Sequence, residues 1–541
     1  MSAARCCLLR LPLLLVVLTT ASARAQRGEL PAVDQRYEIE ATLDPRTHTL
    51  TASEHIVFTN HSPTPLHELY FHLYLNAFRD ANSVFMREGG AQLRGEPLGQ
   101  RGGISITELV IEGESNLLAR SEPELIAGDR TQLRVPLRRE LAPGAVLHVQ
   151  LRFVAQLPAL VARSGFASDF HLIAQWFPKL ARLEEDGQWA SFPYHGLGEF
   201  YADFADYRVS LSVPRAYVVG GTGTAVASRV HGALRTDEFR ARAVHDVAFA
   251  AYPYFERLQS LEHGVHVSVL SPRGYAAASA RQLRVVRAGL ATYGTRFGPY
   301  PYDTLTVIIP PADAQAAAGM EYPTFFVSAG PWWTVPAALP DPRHDLVAAH
   351  ELAHQWFSGM IANNEVAYPM LDEGLAQWAT LSLLRQLYAA PPSLFARCPP
   401  PLDPFDVTRM LYQRSAEPVP SSLLPAHAYR YEELARAVYL RPALVLEALA
   451  KAHGQQRLDA ALGRYAREQR FRHPALGAFF AAFDREYGGG FSERQLRPAL
   501  QGDARAALSE ANEPSQHADH NRSFFAETLL AAQALLQGLG P

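Results

Sequence analysis

Three cysteines in 541 residues are too few for a disulfide framework, and two of them, Cys6 and Cys7, sit in the first ten positions. Lysine occurs only at 179 and 451, and the arginines that carry the remaining positive charge form no basic stripe, which argues against a nucleic-acid footprint. Beyond the N-terminus no apolar run approaches the ~20 residues of a membrane span. Charge of one sign is not in excess either, with 50 basic against 54 acidic side chains and 48% apolar residues. That balance excludes a disordered or fibrous chain. At roughly 100 to 200 residues per domain, the length suggests about three or four domains, each able to bury a core.

The first 25 residues read as a secretory signal, with Arg5 and Arg10 before an apolar run from Leu11 to Leu18 and a small-residue site at Ala23-Arg24-Ala25. Cleavage after Ala25 would take Arg5, Arg10, Arg24, Cys6 and Cys7 away and leave Cys398 alone. A single thiol makes no internal disulfide, so the exported chain, periplasmic or extracellular, must be held by its cores and any metal. Neither Cys398, beside a proline run, nor His517 and His520, in a polar tail, has a sequence context for chemistry.

From 36 to 257 the pattern is one of short β-rich runs bounded by Pro, Gly, Asp or Asn, as in 36–43, 51–60, 145–157 and 206–214. Such runs without intervening helical periods predict an antiparallel sandwich or saddle-shaped sheet. GGTGT at 220–224 lacks the spacing of a phosphate loop and reads as a turn. Near 275 the period becomes helical; after a strand at 305–311, helices are expected over 345–360, 372–388 and 431–454. The resulting fold class is multidomain α+β: an all-β domain at 26–257, a mainly helical domain with a small sheet at 258–480, and a short helical tail at 481–541.

The chemistry concentrates in His350-Glu351-Leu352-Ala353-His354. Two imidazoles one helical turn apart share a face and suit two Zn²⁺ ligands, with Glu351 directed at a metal-bound water. After the eighteen residues 355–372 comes Glu373, at the start of the next helix, able to complete three ligands and leave a fourth position for water. By chance alone an HExxH match somewhere in such a chain has a probability of roughly 4%, and the helical flanks on both sides decide against chance.

These residues resemble the aminopeptidase N and leukotriene hydrolase family of gluzincin metallopeptidases, in which HExxH is followed by eighteen residues and Glu. HELAHQWF at 350–357 and LDEGLAQW at 371–378 match the family's flanks. Ala318-Gly319-Met320-Glu321-Tyr322 looks like its Gly-x-Met-Glu-Asn motif, and Tyr439-Leu440-Arg441-Pro442-Ala443 like its Tyr-x-Lys-Gly-Ala motif. The resemblance implies that Glu321, with Gly319 and Met320, binds the substrate's free α-amine and that Tyr439 hydrogen-bonds the oxyanion. Gln175, in QWFPKLAR, looks like an N-domain glutamine that also contacts the amine; Glu199, in GEFY, lies in the same likeness, and both could equally serve as structural polar groups. One zinc ion per chain and peptides with a free N-terminus as substrates follow from the resemblance. The departures, at Tyr322, Ser358, Asp372 and Arg441-Pro442, bear on specificity and remove no ligand, base, anchor or tyrosine.

Two other readings share the motif. A thermolysin-like endopeptidase uses HExxH and a distant Glu without an amine anchor, and a silent scaffold would be expected to lose a ligand or the base. His245-Asp246 reads as structural for want of a nucleophile, and Trp332-Trp333 as packing before it reads as a pocket wall. Because relatives use a further large helical domain that is largely missing here, a more open cleft is expected.

Overall fold

The computed structural model describes residues 29–90, 99–120, 124–125, 129–331, 343–388, 403–415 and 417–502. The expected signal segment, Trp332-Trp333, Cys398, His517 and His520 lie outside these. Strands form at Arg36–Asp44, Thr49–Thr59, Val146–Gln156 and Ala205–Pro214, within two residues of where alternation placed them. Along Arg36–Asp44 every second side chain, Tyr37, Ile39, Ala41 and Leu43, is buried, which is the period of a strand with one face on a core.

These strands join Gly103–Ile111, Thr224–His231 and Leu234–Val244 in a seven-stranded sheet. Its pairs are antiparallel except for Arg36–Asp44 against Ala205–Pro214, which run parallel from Arg36 opposite Asp206 to Thr42 opposite Ser212. Smaller sheets complete the N-terminal layer. Gly220 and Gly221, expected in a turn, instead belong to the strand Val218–Gly221. A Cβ on Gly221 would lie 2.1 Å from the Phe249 ring, so the glycine lets two paired strands carry a phenylalanine between them.

A second sheet of five strands opens with Phe255–Glu262, so the switch expected after 257 falls inside a strand and comes a few residues earlier. It continues through Val265–Pro272, Thr304–Ile308 and the hairpin Met320–Tyr322 with Phe325–Val327. Helix Ala276–Phe297 packs against this sheet and against helix Arg343–Ala353, which in turn packs on Leu375–Leu387. Helix Leu476–Tyr487 crosses the expected boundary at 480, and its Phe479, Phe480 and Phe483 are buried in the main core, so this part of the presumed tail belongs to the helical domain. One apolar cluster runs from Ile39 and Val209 in the β layer to Leu352, Trp356 and Phe483 in the helices. Among the described residues no helix is long and apolar enough to cross a membrane.

Candidate active site

The helix Arg343–Ala353 ends one residue before His354, whose N–H still bonds the His350 carbonyl at 3.1 Å, so both imidazoles stay on one face one turn apart. At its other end the fully buried Asp345 is gripped by Arg281 and Arg284 of helix Ala276–Phe297 and by the Tyr388 hydroxyl. The Tyr293 hydroxyl donates to the Ala349 carbonyl at 3.2 Å. The helix was expected to run to 360 but stops because the chain turns back at Ser358, which has φ 100°. That is a conformation in which glycine would be unstrained. Ser358 is held there by its hydroxyl bond to Glu365 at 2.9 Å and by His245 Nε2 on its carbonyl at 3.2 Å. His245 thus has the structural role read for it, and its neighbour Asp246 pairs with Lys179 at 2.7 Å.

Glu373 and Tyr439 both sit on wide, π-type helical turns, Met370–Gly374 and Ala435–Leu440. Such turns push a side chain out of regular register and recur at functional sites. The two turns touch closely: a Cβ on Gly374 would lie 2.8 Å from Pro442 and 2.9 Å from the Val438 carbonyl. Only a residue without a side chain permits this approach. Pro442 is tolerated because it stands in the first turn of helix Arg441–His453. Arg441, fully buried, donates to the Tyr412 hydroxyl and to the carbonyls of Val419, Pro420 and Leu500, tying the Tyr439 turn to the last described helix.

Three donor atoms converge. His350 Nε2 is 3.0 Å from Glu373 Oε2, His354 Nε2 is 3.0 Å from His350 Nε2 and 3.3 Å from Glu373 Oε2. Around a tetrahedral ion with bonds of 2.0 to 2.1 Å, donors lie about 3.3 Å apart, so this triangle fits Zn²⁺. The electrostatics agree. Burial opposes a charge on His354, but Asp372, Glu321 and Glu373 outweigh it and hold the imidazole well above its ordinary range, a surplus of negative charge that a dication answers. His354 Nδ1 faces Asp372 Oδ1 at 2.6 Å and the Phe357 carbonyl at 3.1 Å, which fixes the tautomer that leaves Nε2 free to ligate.

Glu351 is buried next to the triad with Oε2 lacking a hydrogen-bond partner. Burial lifts its carboxyl up to about 8; His354 and Arg163 oppose the rise, and Glu373 and Asp372 add to it. Tyr439 hydrogen-bonds Glu373 and lies with its ring 6.0 Å from that of His350. Burial, then Glu373, keeps its phenol well above the usual range and hence protonated, able to donate.

Glu321 is on the strand Met320–Tyr322, with its carboxylate within 4.8 Å of donor atoms of His354 and Asp372. Gly319 donates to the Val327 carbonyl at 2.9 Å and Met320 is buried in the apolar cluster behind the strand. Gln355 links this strand to the zinc helix, donating to the Tyr322 carbonyl at 3.0 Å and accepting from the Thr324 N–H at 2.8 Å. Gln175 has its amide engaged by other side chains. Its amide donates to Asp246 at 2.5 Å and accepts from Lys179 at 3.2 Å, inside a buried cluster of the β domain. It is Glu199 that comes within electrostatic reach of Glu321, from a segment whose Leu197 packs with Tyr439 and Val438.

The protein thus contains a buried two-histidine, one-glutamate centre suited to Zn²⁺, with a carboxylate base candidate, a phenol and an acidic wall around it. Its fold is that of the M1 zinc metallopeptidases. The crystal structure of the M1 zinc metallopeptidase from Deinococcus radiodurans superposes with a TM-score of 0.58 at 20% identity, covering 86% of this chain and 93% of that one. A mutant of the Deinococcus enzyme bound to a Tyr-Ser-Ala substrate gives the same TM-score at 21% identity over 86% of this chain and 94% of that one. A structure described as a two-domain M1 zinc metallopeptidase bound to L-tryptophan covers 88% of this chain and 96% of its own, with a TM-score of 0.58 and 20% identity. In sequence, the chain is 24% identical over 295 residues to aminopeptidase M1-B of Oryza sativa subsp. japonica, covering 52% of this chain and 33% of the rice protein. The chain therefore spans about a third of the length of that relative. No family model matches the chain.

Proposed function

We propose that this chain is a zinc-dependent aminopeptidase of the M1 family, exported through its N-terminal signal to the periplasm or exterior, that hydrolyses the first peptide bond of peptides with a free N-terminus. The observation that carries the reading is Glu321, a buried carboxylate held within 4.8 Å of donor atoms of His354 and Asp372. Burial holds this carboxyl well above its ordinary range, and an arriving ammonium supplies the opposite charge that lets it ionise, which captures the N-terminus and sets the cut one residue away from it. An endopeptidase has no use for such an anchor.

His350, His354 and Glu373 would hold the ion, which when bound supplies Lewis acidity to the scissile carbonyl and to the attacking water. Glu351 takes the proton of that water and returns it to the leaving amine. Tyr439 donates a hydrogen bond to the oxyanion, a contact of the kind whose loss removes about 3 to 4 kcal/mol of transition-state stabilisation. Glu321, within electrostatic reach of Glu199, receives the ammonium.

The test uses purified full-length chain loaded with zinc, assayed on aminoacyl-naphthylamides and on one peptide with free and acetylated N-termini. Turnover is expected to vanish with a chelator and in Glu351→Gln, which keeps its zinc, and acetylation is expected to abolish cleavage. Full activity in Glu351→Gln would overturn the mechanism, and equal cleavage of the acetylated peptide would favour an endopeptidase.

A further inference from the structure

One buried cation beside the cleft has no part in the mechanism above. Val161 and Ser164 bond each other in both directions, N–H to carbonyl at 3.1 and 3.0 Å, and enclose a two-residue turn of Ala162 and Arg163. Their φ values are 45° and 55°. Two successive positive values are those of a type I′ turn, which favours Asn-Gly. Alanine and arginine adopt them at a cost on the order of 1 kcal/mol or more each. Strain of this kind persists where the surroundings impose it, and it clusters at functional sites.

The turn delivers the Arg163 guanidinium to a specific place. Nη1 lies 3.3 Å from Glu199 Oε1, with side-chain exposures of only 9% and 8%. Leu160, on one shoulder of the turn, packs against the apolar cluster behind Met320 and Tyr322, while Leu197, two residues before Glu199, packs in the cluster that holds Tyr439. The ion pair therefore lies between the wall that carries Glu321 and the wall that carries Tyr439. Burial works against the guanidinium's charge, and Glu199, then Glu321, outweigh it.

Glu199 and Glu321 together would set two buried carboxylates against the single ammonium of a peptide N-terminus. Unpaired buried charge is strongly unfavourable, so the second carboxylate requires a resident cation. We propose that Arg163 is a positioning residue for the substrate's N-terminus: it orients Glu199 and cancels its charge, leaving the Glu199–Glu321 pocket one net negative charge to match one ammonium. The proposal rests on the aminopeptidase reading.

The experiment compares wild type, Arg163→Gln, Glu199→Gln and the double variant, all zinc-loaded, on unblocked aminoacyl-naphthylamides. In Arg163→Gln, KM is expected to rise at least about tenfold while kcat changes by less than about threefold, with zinc content and Tm as controls. In the double variant KM is expected to stay near the Arg163→Gln value and well below the product of the two single losses, because both substitutions break the same ion pair. An unchanged KM, a loss confined to kcat, or additive single losses would overturn the proposal. Should Arg163→Gln fail to fold, Glu199→Gln decides alone: it leaves the guanidinium uncancelled beside Glu321, so KM must rise by a similar factor, and an unchanged KM overturns the proposal. Wild-type cleavage of an acetylated peptide as fast as the free one would sink the aminopeptidase reading separately, since that arm involves no variant.

Discussion

Gln355 donates to the Tyr322 carbonyl at 3.0 Å, joining the residue after the second histidine to the residue after Glu321. The same amide accepts from the Thr324 N–H at 2.8 Å, so one side chain just past the end of the zinc helix satisfies both ends of the turn that presents the carboxylate. Gln355→Leu is therefore expected to leave zinc content intact while letting Glu321 drift. Misplacement of a binding group by about 1 Å can cost on the order of 100-fold in rate, so kcat/KM for unblocked aminoacyl substrates should fall by about 10- to 100-fold. Steady-state kinetics with zinc analysis check this; unchanged kcat/KM would show that the turn holds Glu321 without Gln355.

Asp372 stands where the resembling family carries Asn, and it receives His354 Nδ1 at 2.6 Å. An acceptor behind a ligating histidine fixes its tautomer, and its loss typically costs about 10- to 100-fold in metal affinity. Asp372→Ala should weaken zinc binding by that factor in a chelator competition. Asp372→Asn keeps a carbonyl oxygen in the same place and should retain most of the affinity. Equal losses in both variants would mean that charge, rather than the hydrogen bond, holds the imidazole.

The parts of this site that were legible in the sequence are those set by helical geometry. His350, Glu351 and His354 lie within one turn and a half, and Glu373 opens the next helix, so spacing alone nearly specifies their arrangement. Glu321 and Tyr439 were legible only through their flanking motifs. Arg163 was not legible, because it reaches the cleft through a strained two-residue turn with no sequence signature, and Glu199 could not be told from a structural carboxylate until the docking of Leu197 against Tyr439 was known. Gln175 illustrates the converse. Its motif suggested the amine site, yet the buried Lys179 and Asp246 need its amide as a bridge, and satisfying two buried charges decides where the side chain goes. In the fold, alternation located the long strands to within two residues, whereas the break after His354 depends on Ser358 meeting Glu365 and His245, which no local pattern encodes.

Gly374 separates the Glu373 turn from Pro442 and the Val438 carbonyl by less than a methyl group requires. Gly374→Ala should force the two turns apart, costing about 1 to 3 kcal/mol in stability as overpacking does. Because one turn carries a zinc ligand and the other Tyr439, kcat should fall further than the stability loss alone explains. Thermal melting and kcat on the same preparation separate the two effects; normal kcat at a lowered Tm would mean the turns re-close around the methyl.

His72 and His171 are both fully buried in the β domain. Burial, and next the charge of Lys179, pushes the His72 imidazole down to about 3. Burial, then His48, pushes His171 down to about 4. In the unfolded chain each takes up a proton near pH 6.5, while in the folded protein each stays neutral until the pH reaches its depressed value. The unfolded state therefore binds more protons across this window, and stability falls as the pH drops below about 6.5, by up to ~1.4 kcal/mol per pH unit for each histidine. His171 Nε2 meets His48 Nδ1 at 3.0 Å and its Nδ1 meets the Asp169 carbonyl at 3.1 Å, so His171→Asn can retain one of these bonds without the titration. Denaturant unfolding at pH 7.0 and pH 5.0 should show a smaller loss in His171→Asn than in wild type, by about 2 kcal/mol, because some 1.5 pH units of that window no longer act at this site. An identical loss in both proteins would assign the acid sensitivity to other groups and remove His171 from its cause.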